Sequence, residues 1–160
     1  MKLKIIHLYW EGPYKLEELT QLKDDIHDYG IYQIYGCHPV YGSDVLMYIG
    51  KADKQTFGVR IGQENWSWNR DSGKIQIYVG RLMDKRKPTN EEWSKEIGLA
   101  EKLLIYSHTP ASNTQNLNSI PETDIEDVHV LNWGQHRDLM AEVSGVRWTS
   151  KYNIDEFKIY

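Results

Sequence analysis

Cysteine is all but missing from this sequence of 160 residues. Cys37 is the only one, which excludes an internal disulfide and a zinc centre built on several thiolates. No apolar run approaches the length needed to span a bilayer. The start, Met1-Lys2-Leu3-Lys4-Ile5-Ile6-His7, is basic, but its apolar stretch is very short and no small-residue cleavage site follows, so no secretory leader is read there. A reducing, cytoplasmic setting is the expectation. Repeats, low-complexity tracts and linkers are lacking too. With 40% apolar and 26% charged residues, the composition is that of a single domain over 1–160 with a core large enough to stand alone.

Net charge is −4, which at first argues against a nucleic-acid partner. The distribution is uneven, however. Between Lys51 and Lys87 nine bases (Lys51, Lys54, Arg60, Arg70, Lys74, Arg81, Lys85, Arg86, Lys87) meet four acids, a net of +5, while ten bases and nineteen acids elsewhere leave −9. A basic middle in an acidic chain is what a localised phosphate-facing surface needs, although solvated loops carry such charge as well. Lys54, Arg70, Lys74, Lys85, Arg86 and Lys87 are the candidate nucleic-acid contacts.

Two apolar runs bounded by glycine organise the middle of the chain. Ile31-Tyr32-Gln33-Ile34-Tyr35 follows Gly30, and Val45-Leu46-Met47-Tyr48-Ile49 precedes Gly50. Both are rich in β-branched and aromatic residues and read as strands. Pro39, Gly42 and Ser43 between them suit a hairpin loop better than a crossover, so the pair is expected to be antiparallel, with Tyr32 and Tyr48 side by side.

Lys2 to Trp10 reads as an earlier strand, with Gly12-Pro13 as its break. Leu16, Leu19, Leu22 and Ile26 recur at helical spacing and predict an amphipathic helix over 14–27. A short helix is expected over 53–63, with Asp53 as cap and Phe57 and Ile61 on its apolar face. Ile75, Ile77 and Val79 alternate, predicting a third strand over 74–83. Thr89-Asn90-Glu91-Glu92 is a capping box that opens a helix to about Ser107, with Trp93, Ile97, Ala100 and Leu104 as its core stripe. Beyond it, 114–127 reads as loop, 128–133 as strand, 139–143 as a short helical turn and 155–160 as an edge strand.

Gly30-Ile31-Tyr32 with Tyr48-Ile49-Gly50 resembles the signature of the GIY-YIG nucleases. A second block, Glu101-Lys102-Leu103-Leu104-Ile105-Tyr106-Ser107-His108-Thr109-Pro110-Ala111-Ser112-Asn113, is similar to that family's closing motif: a glutamate on a helix, a His-x-Pro exit, then an asparagine. Lys51-Ala52 resembles the excision-repair branch of the family. The likeness spans about 30–113, with 1–29 and 114–160 as additions at either end. It implies an α+β fold: a small antiparallel sheet of three core strands flanked by helices, with extra N- and C-terminal elements. Two departures stand out. Arg60 sits slightly later than in the repair pattern, and Glu64 occupies the place where the family often has histidine or tyrosine.

The resemblance implies a divalent-metal-dependent endonuclease that hydrolyses phosphodiester bonds of DNA, with RNA not excluded and the pairing of two copies left open. Such hydrolysis needs a water, a proton acceptor and positive charge at the phosphoryl oxygens. Glu101 lies one turn after Ile97, at the margin of the core stripe, where a carboxylate needs a cation: Arg60 in an ion pair, or a metal. As a family residue Glu101 would hold Mg²⁺ or Mn²⁺, and one carboxylate favours a single-metal scheme. Arg60 would bind the non-bridging oxygens. Tyr32 would act as base, directly or by positioning the water, its pKa brought down from ~10 by Lys51. Tyr48 would orient the phosphate or share the water, and Asn113 would brace the site or contact the scissile phosphate. Tyr48 and Lys51 are three apart, so they share one side of the strand only if the backbone turns at Gly50.

Trp66, Trp68 and Asn69 with Arg70 form an aromatic-basic cluster suited either to stacking on unpaired bases or to packing. His108 is expected to cap its helix as a cation, and the other histidines have no metal-ligand spacing. Two further readings stay open: a non-catalytic nucleic-acid-binding module on the same scaffold, and a protein-interaction domain whose acidic flanks are the working surface.

Overall fold

The paired glycine-bounded runs form the expected hairpin. Strand β2 (Gly30–His38) and strand β3 (Gly42–Ala52) are antiparallel, with Tyr32 opposite Gly50 and Ile34 opposite Tyr48. The computed structural model describes residues 3–64, 74–83, 91–117 and 123–148. The other elements are β1 (Lys4–Tyr14), α1 (Phe57–Gly62), β4 (Gln76–Leu82), α2 (Glu91–His108), β5 (Val128–Gly134) and β6 (Glu142–Ser144). The fold is α+β. The sheet is larger than the three strands expected from the sequence: six strands run in the order β3-β2-β4-β1-β5-β6. Neighbours are antiparallel except β1 and β5, which are parallel. Among the described residues no helix is long and apolar enough to cross a membrane.

The terminal strands are built into the sheet because they share its core. Trp10 is fully buried, and its indole N–H donates to Asn132 Oδ1 at 2.8 Å, tying β1 to β5. Strand β1 also continues through Gly12-Pro13, where a break was expected. The ladder with β4 shifts register between Glu11 and Tyr14, and such a bulge accommodates a proline that cannot donate.

Three helical expectations fail for local reasons. The predicted helix over 14–27 is only a 3₁₀ segment, Leu16–Gln21. Asp24 Oδ1 accepts the backbone N–H of Ile26 and His27 at 2.7 and 3.0 Å, and Asp28 Oδ2 accepts that of Asp24 at 2.8 Å. Short acidic side chains thereby offer the backbone an alternative to the helix. Helix α1 starts at Phe57 after Thr56, not at Asp53. Residues 139–143 contain no helical turn; Glu142–Ser144 instead adds to the sheet as β6, opposite His129–Leu131. The capping residues Thr89 and Asn90, the cluster Trp66–Arg70 and the predicted strand 155–160 lie outside the described residues.

The sheet separates two apolar layers. On one face Ile31, Tyr35 and Ile49 pack with Trp93, Ile97 and Leu104 of α2. On the other, Tyr32, Ile34, Ile77 and Val79 pack with Phe57 and Ile61 of α1 and with Leu22. Tyr48 is half-buried against this second layer. Because β3 is an edge strand, the two faces adjoin along it.

That edge is closed by the segment after α2. Ala111 and Ser112 donate to the carbonyls of Leu46 and Met47 at 3.1 and 2.7 Å. Asn113 finishes the row: its Oδ1 accepts from Ile49 N at 3.0 Å and its Nδ2 donates to Ile49 O at 2.9 Å, both buried. Pairing of this kind protects an edge from other chains. Asn113→Ala strands two buried backbone groups and is expected to destabilise the protein by about 2–4 kcal/mol, read by urea unfolding. An unchanged midpoint would contradict that role.

Candidate active site

Strand alternation sends Tyr32 and Tyr48 to the α1 face, where their rings lie 6.1 Å apart at 34°. Tyr32 is 0% exposed, and its hydroxyl donates to Glu64 Oε1. To get there the phenol passes over Gly50, the residue directly opposite it in the hairpin. A Cβ on Gly50 would stand 2.5 Å from the Tyr32 hydroxyl and 2.7 Å from the Tyr48 ring. The glycine of the second tripeptide is therefore the gap through which Tyr32 reaches Glu64.

Arg60 and Glu64 are one helical turn apart, and Arg60 Nη1 lies 3.1 Å from the same Glu64 Oε1. Of the two cations considered for Glu101, an ion pair with Arg60 is thus not formed; Arg60 pairs with Glu64. Glu64 collects both the buried phenol and the guanidinium on one oxygen. The sequence marks Glu64 only as a departure from the resembled pattern; its spacing from Arg60 was the available clue.

The expected lowering of the Tyr32 pKa is also overturned. Burial, then the hydrogen bond to Glu64 and its charge, push the phenol far up, and Arg60 opposes this only in part. Tyr32 is fully buried and its phenol is held in the protonated form, which disfavours a direct role as base. Tyr48 is the phenol that keeps some exposure. Burial and Glu64 raise its pKa, Arg60 lowers it and Glu101 raises it again. Among the described residues the Tyr48 hydroxyl has no hydrogen-bond partner.

Glu101 comes from α2, beyond the edge strand. It is half-buried and makes no hydrogen bond or ion pair with a described residue. Burial dominates its titration; Lys51 and Arg60 draw the pKa down and Asp53 pushes it up, with the net result about 7. The carboxylate thus has cations nearby but none in contact.

Lys51 does not share the side of Tyr48. Strand β3 stays regular through Ala52, with Ile31 opposite Lys51 and Gly30 opposite Ala52, so the backbone does not turn at Gly50. Lys51 points to the α2 face, where its Nζ lies 3.5 Å from Asp53 Oδ2, and Ser94 of α2 donates to the same oxygen at 2.7 Å. Burial works against the Asp53 charge, but Ser94 and Lys51 outweigh it and hold its pKa below the ordinary value. Lys51 therefore acts on Glu101, not on Tyr32.

The remaining candidates divide. Asn113 engages both ends of its amide with Ile49, so it braces the strand that carries Tyr48. His108 is a neutral cap, not a cationic one. Its Nδ1 donates to Leu104 O at 2.9 Å and its Nε2 accepts from Met140 N at 2.9 Å, and burial lowers its pKa. Lys54 and Lys74 are exposed. Arg70, Lys85, Arg86 and Lys87 lie outside the described residues. Arg81, counted in the basic window, is held by Glu11 and by Asp28 at 2.6 Å over the Phe57 ring, so its charge is internal to the fold.

A metal has one plausible seat. Among the described residues no three His, Cys, Asp or Glu side chains cluster closely enough to cage an ion. A desolvated carboxylate without a partner is a different donor set: one hard oxygen ligand, which suits a cation that keeps most of its waters and takes the rest of its shell from a substrate phosphate. The chemistry of Glu101 fits Mg²⁺ or Mn²⁺ on those terms. Comparison with protein-family models, curated proteins and solved structures returned no match.

Proposed function

We propose that this protein is a divalent-metal-dependent endonuclease that hydrolyses phosphodiester bonds of DNA by a single-metal mechanism, on a GIY-YIG-like arrangement of β2, β3, β4, α1 and α2. The observation that carries the reading is Glu101: a half-buried carboxylate, unpartnered among the described residues, within electrostatic reach of Tyr48 and Arg60. Glu101 would hold Mg²⁺ or Mn²⁺, and the bound ion would supply positive charge at the phosphoryl oxygens. Lys51 favours the ionised form of Glu101 that a cation needs. Arg60, partly exposed, would bind the non-bridging oxygens, and the Tyr48 hydroxyl, without a hydrogen bond to a described residue, would orient the phosphate. Asn113 keeps the edge strand, and with it Tyr48, in register.

A second reading, a non-catalytic nucleic-acid-binding module, is favoured by the complete burial of Tyr32, which removes the expected base. Nicking of supercoiled plasmid with Mg²⁺ or Mn²⁺ separates the two. The enzyme reading expects cleavage by the wild-type chain and none by Glu101→Ala. Folded protein that binds DNA with a steep salt dependence but cuts neither DNA nor RNA would establish the second reading in its place.

A further inference from the structure

Burial of Tyr32 leaves the proposed reaction without a proton acceptor, and the geometry around Glu64 supplies one. The two bonds from Tyr32 and Arg60 fall on Oε1, and among the described residues Oε2 has no partner. The side chain is 15% exposed, so it is held at one oxygen without being sealed from solvent by the described residues. Fixing matters because a general base acts only from within hydrogen-bond reach of the proton it takes. The clamp is stiff: Tyr32 sits fully buried in the α1-side core, and its phenol is confined by Gly50 and the Tyr48 ring.

We infer that Glu64 is the catalytic base of this site, with Tyr32 as its positioning residue, an inference that rests on the nuclease reading above. The step balances without a further reactant. Oε2 of the Glu64 carboxylate takes a proton from a water, and the water oxygen forms a bond to phosphorus. The bond from phosphorus to the leaving oxygen breaks, that oxygen takes a proton from solvent, and Glu64 returns its own proton to solvent. Among the described residues the charged and titratable groups facing Glu64 are Tyr32 from β2, Tyr48 from β3 and Arg60 from α1, while Glu101 acts on Tyr48 from α2. Arg60 is shared between Glu64 and the phosphate, which links substrate binding to the orientation of the base.

The test is single-turnover plasmid nicking by the full chain with Mg²⁺ over pH 6–9, comparing wild type, Glu64→Gln, Glu64→Ala, Tyr32→Phe and Glu101→Gln. Glutamine keeps an oxygen for Tyr32 and Arg60 but cannot take the proton. It is expected to slow the maximal rate about 100-fold or more while DNA affinity holds or improves, since Arg60 is released from a charge. Its rate should climb about tenfold per pH unit above neutrality, where the wild-type rate is flat. Added formate should restore part of the activity of Glu64→Ala, an effect that a structural role would not produce. Tyr32→Phe should slow the maximal rate about tenfold with affinity unchanged, and it carries the test if the Glu64 variants do not fold. Wild-type rates and pH profiles in Glu64→Gln or Tyr32→Phe, with Glu101→Gln inactive, would overturn the role of Glu64 and leave the nuclease reading standing. No cleavage by folded wild-type protein would overturn both.

Discussion

Glu101→Gln is expected to abolish cleavage and, at the same time, to make the metal-free protein more stable at pH 8. The first effect follows from losing the carboxylate proposed to hold the ion and should cost about 10³-fold or more in rate. The second follows from the buried charge. Glu101 binds its proton up to a pKa of about 7 in the folded protein, against 4.5 for the free group. Between those values the folded state holds more protons than the unfolded one, so stability falls as pH rises through the window and the full penalty applies above it. The penalty is on the order of 3 kcal/mol. A neutral glutamine removes it, which for a chain of this size should raise the melting temperature at pH 8 by about 5 °C or more. Mg²⁺ should stabilise the wild type, since the ion binds the folded state, and leave the variant unmoved. Thermal unfolding at pH 5 and pH 8, with and without Mg²⁺, reads all of this. A wild type that gains stability as pH rises from 5 to 8, with Glu101→Gln showing no advantage, would contradict the burial argument.

The two glycines of the signature should fail in different ways when replaced by alanine. Gly30 has φ +145°, and a Cβ there would stand 2.1 Å from the main-chain oxygen of Gly80 in β4. Neither backbone can yield without opening the β2–β4 ladder, so Gly30→Ala is expected to cost about 3 kcal/mol or more and to accumulate as aggregate. At Gly50 the obstacle is side chain: the phenol of Tyr32 and the ring of Tyr48. Tyr32 is enclosed, so Gly50→Ala should cost about 1–3 kcal/mol while pushing the phenol off Glu64. A folded but inactive Gly50→Ala is the expected result, checked by circular dichroism and nicking together. Full activity in that variant would contradict the Tyr32–Glu64 clamp.

The hairpin, the third strand and α2 were legible in the sequence because each announces itself by local pattern: glycine-bounded apolar runs, an alternation through Ile75, Ile77 and Val79, and a stripe from Trp93 to Leu104. The full sheet was not. That β1 lies between β4 and β5 depends on contacts such as Trp10 with Asn132, 122 residues apart, which no local pattern encodes. The failed helix over 14–27 has the right apolar spacing, but periodicity says nothing of Asp24 and Asp28 capturing backbone amides. The motif pointed to Tyr32, Tyr48, Arg60 and Asn113 as site candidates, but not to Glu64 as the side chain that Tyr32 and Arg60 share. Lys51 went to the wrong face because a turn at Gly50 was needed for the role given to it, and the strand stays straight. Glu64 was visible only as an exception, though the exception proves to be where Tyr32 and Arg60 meet.

The central claim is that one carboxylate, reaching past the edge strand, completes a phosphate site with Tyr48 and Arg60. Crystals soaked with Mn²⁺ and a short DNA duplex test it most directly through anomalous scattering. The account expects a single manganese peak against the Glu101 carboxylate, with a backbone phosphate between it and Arg60. A peak elsewhere, or none while DNA is bound, would contradict it.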